Sequence, residues 1–355
     1  MQIRRLNTLR GLASLIVLVG HYSNKARLWD ALLGTRAPQL GVMLFFLLSA
    51  FLMTILYLDR EPARQAMRGY GAARVARILP LYAAVVVLSW LGQQSGLPWL
   101  MKVLYDIPTA KSLASHLATL YGVQVLWTIP AELHFYLVFA ALWWLRPRFA
   151  WAIPAFCAIV LGTYVSGHWP LGPKQPVLGF PVDLPLLRGL PYFTVGMMIG
   201  MLYNRWRPPA RIRHHAFALA LPLILLLYPA IIGKLTGWTY GQGPGESPMW
   251  FLPLLLLAVS AIFFVLVFLV PDGNPVLENR AGDYLGKISY SLYLLHFPVL
   301  LALTQAGLAK GVGGLALFLA LTILAASASY RFYELPMRLR IRAMGAQDDG
   351  GNRAQ

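Results

Sequence analysis

Two ionisable residues mark the ends of the first apolar stretch in the chain. Arg10 and His21 are separated by ten residues that are almost all apolar or small. On an α-helix this spacing corresponds to a rise of roughly 16 Å, about half of the hydrocarbon thickness of a bilayer. Ionisable residues are costly inside a membrane helix and are usually retained for a function. Because imidazole exchanges protons near neutral pH, His21 is a candidate general base for a hydroxyl group; hydrogen bonding within the core is the alternative.

A pair of arginines is the second feature that could carry chemistry. Arg74 and Arg77 lie three residues apart, so a helix would present both guanidinium groups on one face. Paired guanidinium forks suit the oxygens of a phosphate group. The alternative is that both arginines only anchor the cytoplasmic end of a membrane helix.

A carboxylate with aromatic neighbours is the third feature. Glu132 follows Pro130 by two residues, so we expect it in the first turn of a helix, where the helix dipole favours a negative charge. A carboxylate beside His21 would orient the imidazole and stabilise its protonated form, as in catalytic dyads. Trp127 and Tyr136 could form a face for a sugar, although interfacial aromatic residues need no such role. We predict Glu132 as the partner of His21, and Trp127 and Tyr136 as substrate-binding residues.

Two more ionisable residues lie in the C-terminal part of the chain. We expect His296 to form hydrogen bonds inside a helix bundle, and Glu334 to pair with Arg331 or with an arginine of a loop. Their roles in any reaction stay open at this point. The sequence has no Gly-rich phosphate loop, no His-x-x-x-His pair and no Gly-x-Ser-x-Gly elbow, so we expect no metal site.

The composition is that of a membrane protein. Of 355 residues, 58% are hydrophobic and 12% are charged, and the mean hydropathy is +0.60. So few charges could not cover the surface of a soluble domain of this size. The net charge is +17, but the basic residues are scattered between apolar runs, which disfavours nucleic acid as a partner. The single cysteine, Cys157, excludes an internal disulfide.

Ten segments are long and apolar enough to predict membrane-spanning helices. They are residues 8–24, 40–58, 76–94, 130–146, 150–166, 186–204, 214–233, 250–270, 288–306 and 313–333. The sequence therefore predicts an all-α polytopic membrane protein with about ten transmembrane helices in one bundle. We expect one membrane domain over residues 1–342 and a polar, disordered tail over 343–355. In the longest loop, residues 112–125 are semi-apolar and could lie on the membrane or dip into it.

The distribution of basic residues predicts the orientation. With an even number of helices both termini lie on one side, and that side carries eighteen lysines and arginines against nine on the other. Basic residues concentrate in cytoplasmic loops, so both termini are predicted to be cytoplasmic. Arg10 would then lie toward the inner face and His21 toward the outer face.

An ordered set of motifs runs along the chain: Leu6-Asn-Thr-Leu-Arg10-Gly with His21, Gly41-Val-Met-Leu-Phe-Phe-Leu-Leu-Ser-Ala-Phe-Leu52, Arg74-x-x-Arg77 followed by Ile-Leu-Pro-Leu-Tyr82, Trp127 with Glu132-x-x-Phe-Tyr136, Gly286-Lys-Ile-Ser-Tyr-Ser-Leu-Tyr-Leu-Leu-His296-Phe-Pro, and Tyr330 with Glu334-x-Pro336. Over residues 6–336 the chain resembles the acyltransferase-3 family of integral membrane O-acyltransferases. The resemblance implies a ten-helix domain, an acyl-CoA donor taken from the cytoplasm and an acceptor at the outer face. The family's Arg-x(10)-His motif falls on Arg10 and His21, and its Arg-x-x-Arg motif on Arg74 and Arg77. Two positions depart from the pattern, with Asn7 in place of Asp and Ala50 in place of Gly.

These features together predict an enzyme of the bacterial plasma membrane. It would move an acyl group, expected to be acetyl, from acyl-CoA to a hydroxyl of an extracytoplasmic glycan or lipid-linked sugar. His21 would act as general base, or as a transient acyl carrier, while Arg10, Arg74 and Arg77 would hold the phosphates of CoA. One alternative is a same-fold acyltransferase of a macrolide-like small molecule, and another is a transporter of a glycan or acyl donor. Membrane lipid would surround the bundle, and the oligomeric state stays open.

Overall fold

The computed structural model describes residues 4–34, 36–169, 179–237 and 248–347. The α-helices of these ranges are α1 (Arg4–Ala26), α2 (Asp30–Leu33), α3 (Pro38–Met53), α4 (Arg64–Gln94), α5 (Pro98–Val103), α6 (Ala110–Leu117), α7 (Thr128–Leu145), α8 (Ala152–Val165), α9 (Leu186–Arg205), α10 (Pro229–Thr236), α11 (Pro253–Phe264), α12 (Arg280–Gln305), α13 (Gly311–Ser329) and α14 (Leu335–Gln347). Wider π-helical turns continue α3, α11 and α13 over Thr54–Leu58, Val265–Leu269 and Tyr330–Glu334. Six helices are long and apolar enough to cross a membrane. The prediction of an all-α polytopic membrane protein is confirmed.

Nine of the ten predicted spans each fall on one helix or on a helix with its π-helical continuation. The exception is the segment 214–233. It forms two 3₁₀ stretches, His215–Ala220 and Pro222–Leu227, followed by α10. Proline cannot donate the backbone hydrogen bond that an α-helix needs, so Pro222 and Pro229 divide this apolar run into short pieces.

Helices α1 and α12 run parallel and in close contact along most of their length. Ser14 donates a hydrogen bond to the carbonyl of Ser289, and further along the same pair of helices His21 meets His296. Both contacts join residues 275 positions apart, so the register is constant. Glycine permits this approach: a Cβ atom on Gly286 would lie 2.1 Å from the carbonyl oxygen of Asn7. Small residues at such interfaces let membrane helices pack backbone to backbone.

The first turns of α1 are fixed by polar contacts. The buried Arg5 forms an ion pair with Glu278 at 2.8 Å and donates a hydrogen bond to the carbonyl of Pro271. Asn7, the first departure from the family pattern, donates a hydrogen bond to Asp283 at 2.7 Å. In this chain an amide–carboxylate contact therefore joins α1 to α12 at this level. Ala50, the second departure, is completely buried.

The long loop between α4 and α7 folds into the end of the bundle. It contains α5, α6 and a 3₁₀ turn, Gln124–Trp127, directly before α7. Tyr105 and His116 in this loop are completely buried, and the Tyr105 hydroxyl donates a hydrogen bond to the carbonyl of Leu294 at 2.7 Å. The segment 112–125 thus packs partly inside the protein, and α7 begins below the bundle surface.

The C-terminal helix α14 continues to Gln347. The first five residues of the predicted tail are therefore helical. The rest of that tail, 348–355, lies outside the described residues. The assignment of residues 1–342 to a single membrane domain stays a prediction.

The close approach of α1 and α12 predicts a sharp difference between two glycines. Gly286→Ala should destabilise the protein by about 1–3 kcal/mol, because its methyl group would press on the backbone of α1. Gly313→Ala, in α13, should cause no loss, since no atom lies within 4 Å of the added methyl group. Thermal unfolding in detergent can be followed with a thiol-reactive dye, because the only cysteine, Cys157, is buried. Equal melting temperatures for both variants would contradict the packing argument.

Candidate active site

Five helices surround a cavity in the middle of the bundle. Its empty volume, including the part open to solvent, is about 490 Å³. Helices α1, α3, α4, α7 and α12 contribute polar side chains to its wall: Arg10, Ser49, Arg77, Glu132, Tyr290 and Tyr293. The sequence analysis assigned Arg10 and Arg77 to the donor site and Glu132 to His21, whereas the structure places all three residues in the wall of this cavity.

The three predicted donor-binding arginines lie at this cavity or directly behind it. Arg10 and Arg77 line the cavity, and the buried Arg74 stacks on the ring of Tyr136 at 5.5 Å. None of the three guanidinium groups forms an ion pair with a carboxylate in the part of the chain that the structure describes. Two nitrogens of Arg74, Nε and Nη1, are buried without a hydrogen-bond partner among those residues. Buried cations without partners are unfavourable, so this region is suited to an anion.

Glu132 forms a small polar cluster with two hydroxyl groups. Ser49 donates a hydrogen bond to Glu132 Oε1 at 2.5 Å, and the hydroxyl of Tyr136 donates to the same oxygen. The two hydroxyl oxygens are 3.3 Å apart. Because Glu132 also lines the cavity with Arg10 and Arg77, its charge compensates part of their positive charge.

His21 lies near the other end of α1, in a different set of contacts. Its Nδ1 atom is 3.1 Å from Nε2 of His296, and the edge of its ring meets Phe297 at 5.8 Å between centroids. No side chain among the described residues bonds to the second ring nitrogen, Nε2, and the backbone of Val17, one turn earlier in α1, also bonds to the ring. An imidazole with one nitrogen held and one free has the arrangement of a general base.

The expected pairing of Glu132 with His21 is not present in the structure. The hydroxyl of Thr128, at the start of α7, contacts Tyr293 at 3.0 Å, one turn before His296. Glu132 lies one turn further along α7. Because α7 runs antiparallel to α12 and α1, this turn brings the carboxylate away from His296 and toward Arg10. The prediction put Glu132 in the first turn of a helix without fixing the level of that turn, and the structure buries Thr128, the first residue of α7, inside the bundle.

The two predicted substrate-binding aromatics occupy unequal positions. Tyr136 is buried and acts within the Glu132 cluster, between Arg74 and Ser49. Trp127 is partly exposed, contacts Phe46 in the cavity wall at 6.1 Å between ring centroids, and carries the guanidinium of Arg188 over its ring. Trp127 therefore has more free surface for a ligand than Tyr136.

Sequence reasoning missed three residues of the site. Ser49 is the one polar side chain in the apolar run of α3 between Gly41 and Leu52, and that isolation could have indicated its role. Tyr293 closes the cavity wall, and its hydroxyl donates to the carbonyl of Val125 at 2.9 Å. His296 was expected to bond inside the bundle, and its contact with His21 required the register of α1 against α12.

A bundle of membrane helices around a cavity with arginines, a carboxylate and a histidine suits a group-transfer enzyme that works inside the membrane. The family comparison agrees: a family model described as an acyltransferase domain matches residues 3–333. The chain therefore belongs to the acyltransferase-3 family and is a membrane O-acyltransferase that uses an acyl donor. Among the described residues there is no group of three or more His, Cys, Asp or Glu side chains that could hold a metal ion.

Two named proteins illustrate what the chain is similar to. The exopolysaccharide production protein ExoZ of Rhizobium meliloti (strain 1021) is 28% identical over 319 residues, which is 85% of this chain and 90% of the relative. A protein named as a putative O-acetyltransferase of Staphylococcus aureus (strain COL) is 25% identical over 373 residues, covering 94% of this chain and 57% of the relative. The chain thus spans little more than half of the staphylococcal protein. No solved structure matches the chain.

The cavity geometry predicts that Glu132 supports the stability of the bundle. Glu132→Gln should lower the free energy of unfolding by about 1–3 kcal/mol, because Arg10 and Arg77 lose the carboxylate that faces them. Glu61→Gln, an exposed loop position, should leave the melting temperature unchanged and serves as the control. A Glu132→Gln protein as stable as the wild type would show that the arginine charges need no compensation.

Proposed function

We propose that the protein transfers an acetyl group from acetyl-CoA in the cytoplasm to a hydroxyl of an extracytoplasmic glycan or lipid-linked sugar. The membrane would be the bacterial plasma membrane. The observation that carries the proposal is the placement of two complementary sites on one helix. Around Arg10 lie guanidinium groups that form no ion pair with a carboxylate of the described chain, and at His21 lies an imidazole whose Nε2 atom bonds to no side chain of those residues.

The arginines are suited to the phosphates of CoA. Arg10, Arg74 and Arg77 bring three positive charges close to one cavity, and no carboxylate forms an ion pair with any of them in the ranges that the structure covers. Guanidinium groups bind phosphate oxygens through paired, charge-assisted hydrogen bonds. This explains why the chain keeps unpaired cations inside a membrane bundle.

The distance along α1 agrees with the length of the donor. The rise from Arg10 to His21 is about 16 Å. The pantetheine arm of CoA is about as long as five extended residues, or roughly 16 Å. With the pyrophosphate at Arg10, the thioester would therefore reach the level of His21. In this arrangement the arginines bind the phosphates of the donor, and His21 lies beside the thioester carbon of the donor.

The chemistry at His21 is a direct transfer. Nε2 of His21 accepts the proton of the acceptor hydroxyl while the oxygen of that hydroxyl attacks the carbonyl carbon of the thioester. The carbon–sulfur bond breaks, and the thiolate that leaves takes the proton from His21. The products are an acyl ester and free CoA, and His21 returns to its starting form. Glu132 does not act on His21 in this scheme; it shapes the charge of the donor site.

The basic residues support the proposed orientation. With the ten predicted spans, and leaving out Arg10, Arg331 and Arg353, eighteen lysines and arginines would lie on the side of both termini and nine on the opposite side, which favours cytoplasmic termini. The donor site would then open toward the cytoplasm, where CoA is made. His21 would lie nearer the outer face, where surface glycans are modified. The name of the Rhizobium relative, an exopolysaccharide production protein, supports a glycan as the acceptor.

The donor site predicts a specific effect on acetyl-CoA binding. Arg77→Lys should raise the KM for acetyl-CoA about tenfold, because lysine cannot hold phosphate oxygens with a planar fork. The KM for acetyl-pantetheine, which has no phosphate, should stay unchanged. Arg68→Lys, an exposed position in the same helix, is the control.

Steady-state transfer of labelled acetyl groups in sealed membrane vesicles gives these constants. Inside-out vesicles should use external acetyl-CoA, and right-side-out vesicles should not. An equal rise in KM for both donors would speak against phosphate binding by Arg77. Activity only in right-side-out vesicles would reverse the proposed orientation.

The role of His21 predicts a loss in the rate of transfer. His21→Ala should lower kcat about 100- to 10,000-fold, as expected when a general base is removed. The KM for acetyl-CoA should change little, since His21 does not contact the phosphates. The measurement is mass spectrometry of ester-linked acetyl groups on the surface polysaccharide of the strain that carries the gene, together with transfer rates in vesicles.

The same experiment tests the acceptor. Loss of glycan acetylation in a strain without the gene supports the glycan. An unchanged glycan, together with loss of an acetylated small molecule from the culture, would move the acceptor to the small-molecule class. A His21→Ala protein that is expressed normally and retains full transfer would refute the mechanism.

A further inference from the structure

His296 connects the proposed base to the backbone of α12. It is completely buried. Its Nε2 atom lies 3.1 Å from Nδ1 of His21, and its Nδ1 atom lies 2.7 Å from the carbonyl oxygen of Tyr293. Three groups thus form a continuous chain: the imidazole of His21, the imidazole of His296 and the carbonyl of Tyr293. The backbone of Val17 adds a second contact to the ring of His21.

The chain of contacts fixes the position of each proton. A carbonyl oxygen can only accept a hydrogen bond, so Nδ1 of His296 must carry the proton in that contact. In the neutral ring, Nε2 of His296 is then an acceptor, and Nδ1 of His21 must be the donor. The remaining nitrogen of His21, Nε2, therefore has a free lone pair. That is the tautomer which the direct transfer requires.

We propose that His296 is a positioning residue for acyl transfer: it holds His21 in the tautomer whose Nε2 atom can accept the proton of the acceptor. This inference rests on the proposed role of His21 as base. It assigns to His296 the place that a carboxylate takes in many catalytic triads.

A neutral partner gives the base a particular property. When His21 accepts a proton on Nε2, its Nδ1–H bond to His296 becomes a charge-assisted hydrogen bond and grows stronger. His296 cannot keep an additional proton easily, because it is completely buried and protonation would place a second charge beside the first. The proton accepted from the hydroxyl therefore stays on Nε2 of His21. From that atom it passes to the departing thiolate of CoA.

The surroundings hold the two rings at this distance. The constant register of α1 and α12 brings residues 21 and 296 to the same level. Phe297 packs against His21 with its ring nearly perpendicular to the imidazole, at 83°. Tyr293, whose carbonyl binds His296, is fixed through its own hydroxyl by Val125. The imidazole pair is therefore supported on both sides.

Two amide substitutions at position 296 separate the two contacts of the histidine. The carbonyl oxygen of glutamine reaches the place of Nε2 and can accept the hydrogen bond from His21. The amide of asparagine is one methylene shorter, so it can replace Nδ1 toward Tyr293 but cannot reach His21. His296→Gln should keep kcat within about tenfold of the wild type, whereas His296→Asn should lose about 10- to 100-fold. The KM for acetyl-CoA should stay unchanged in both.

The control is Tyr164→Phe, which removes a buried hydrogen bond of the same type, to the carbonyl of Trp250, far along the chain from His21. It should leave kcat unchanged. Rates are measured with labelled acetyl-CoA in membrane vesicles, and the melting temperature of each variant is recorded with the dye for Cys157. The expected order of kcat at equal stability is wild type, then His296→Gln, then His296→Asn.

Three results would overturn the role of His296. The first is a His296→Asn protein as active as the wild type; the second is a His296→Asn protein more active than His296→Gln. The third is a loss that appears in KM and kcat alike and follows the melting temperature, which would show a structural role only.

The His21→Ala variant separates this inference from the proposed function. If His21→Ala is inactive and His296→Asn is normal, only the role of His296 fails, and if His21→Ala is active, the role of His21 itself fails.

Discussion

The contact between α1 and α12 is the constraint on which the site depends. Membrane helices gain no hydrophobic energy by leaving lipid for each other, so close packing of small residues has to hold them together. Here Gly286 lies directly on the backbone of Asn7, and Ser14 bonds to Ser289. The same register then places His21 against His296. A shift of one residue along either helix would rotate these side chains by about 100° and separate them.

The second constraint is that positive charges buried inside the bundle need partners. Arg5 has one buried nitrogen without a partner among the described residues, Nε, but its guanidinium forms an ion pair with Glu278 and donates to two backbone carbonyls. Arg74 lacks such partners for two of its nitrogens in the described structure, and Glu132 faces Arg10 and Arg77 across a cavity without forming an ion pair with either. The contrast between Arg5 and Arg74 within one protein distinguishes a structural arginine from one that is available to a ligand. An acyl donor with phosphate groups is the ligand that these cations suit.

Much of this arrangement could be predicted from the sequence, and the part that could not has a physical cause. Hydrophobic runs predicted the helical part of nine of the ten segments, because an apolar run without an interrupting proline pair favours one continuous helix. Six helices among the described residues are long and apolar enough to cross a membrane. The prediction of one continuous helix over 214–233 was wrong, because its two prolines break the backbone hydrogen bonds of an α-helix, whereas the hydropathy of the segment stays high. Spacing along one helix placed Arg10 and His21 correctly relative to each other. It could not place Glu132, whose depth depends on how far the loop before α7 folds into the bundle.

The positions of Glu132 and His296 together change the interpretation of the histidine. A carboxylate beside His21 would stabilise its protonated form more strongly than a neutral ring does. In a transfer from a thioester, however, the base has to return its proton to the leaving thiolate within the same turnover. The structure keeps Glu132 at the level of Arg10, where a negative charge offsets the guanidinium groups, and puts a neutral hydrogen-bond acceptor at His21. The separation of these two roles along one helix is what the proposed chemistry requires, in which the donor would bind at one level and react about 16 Å away.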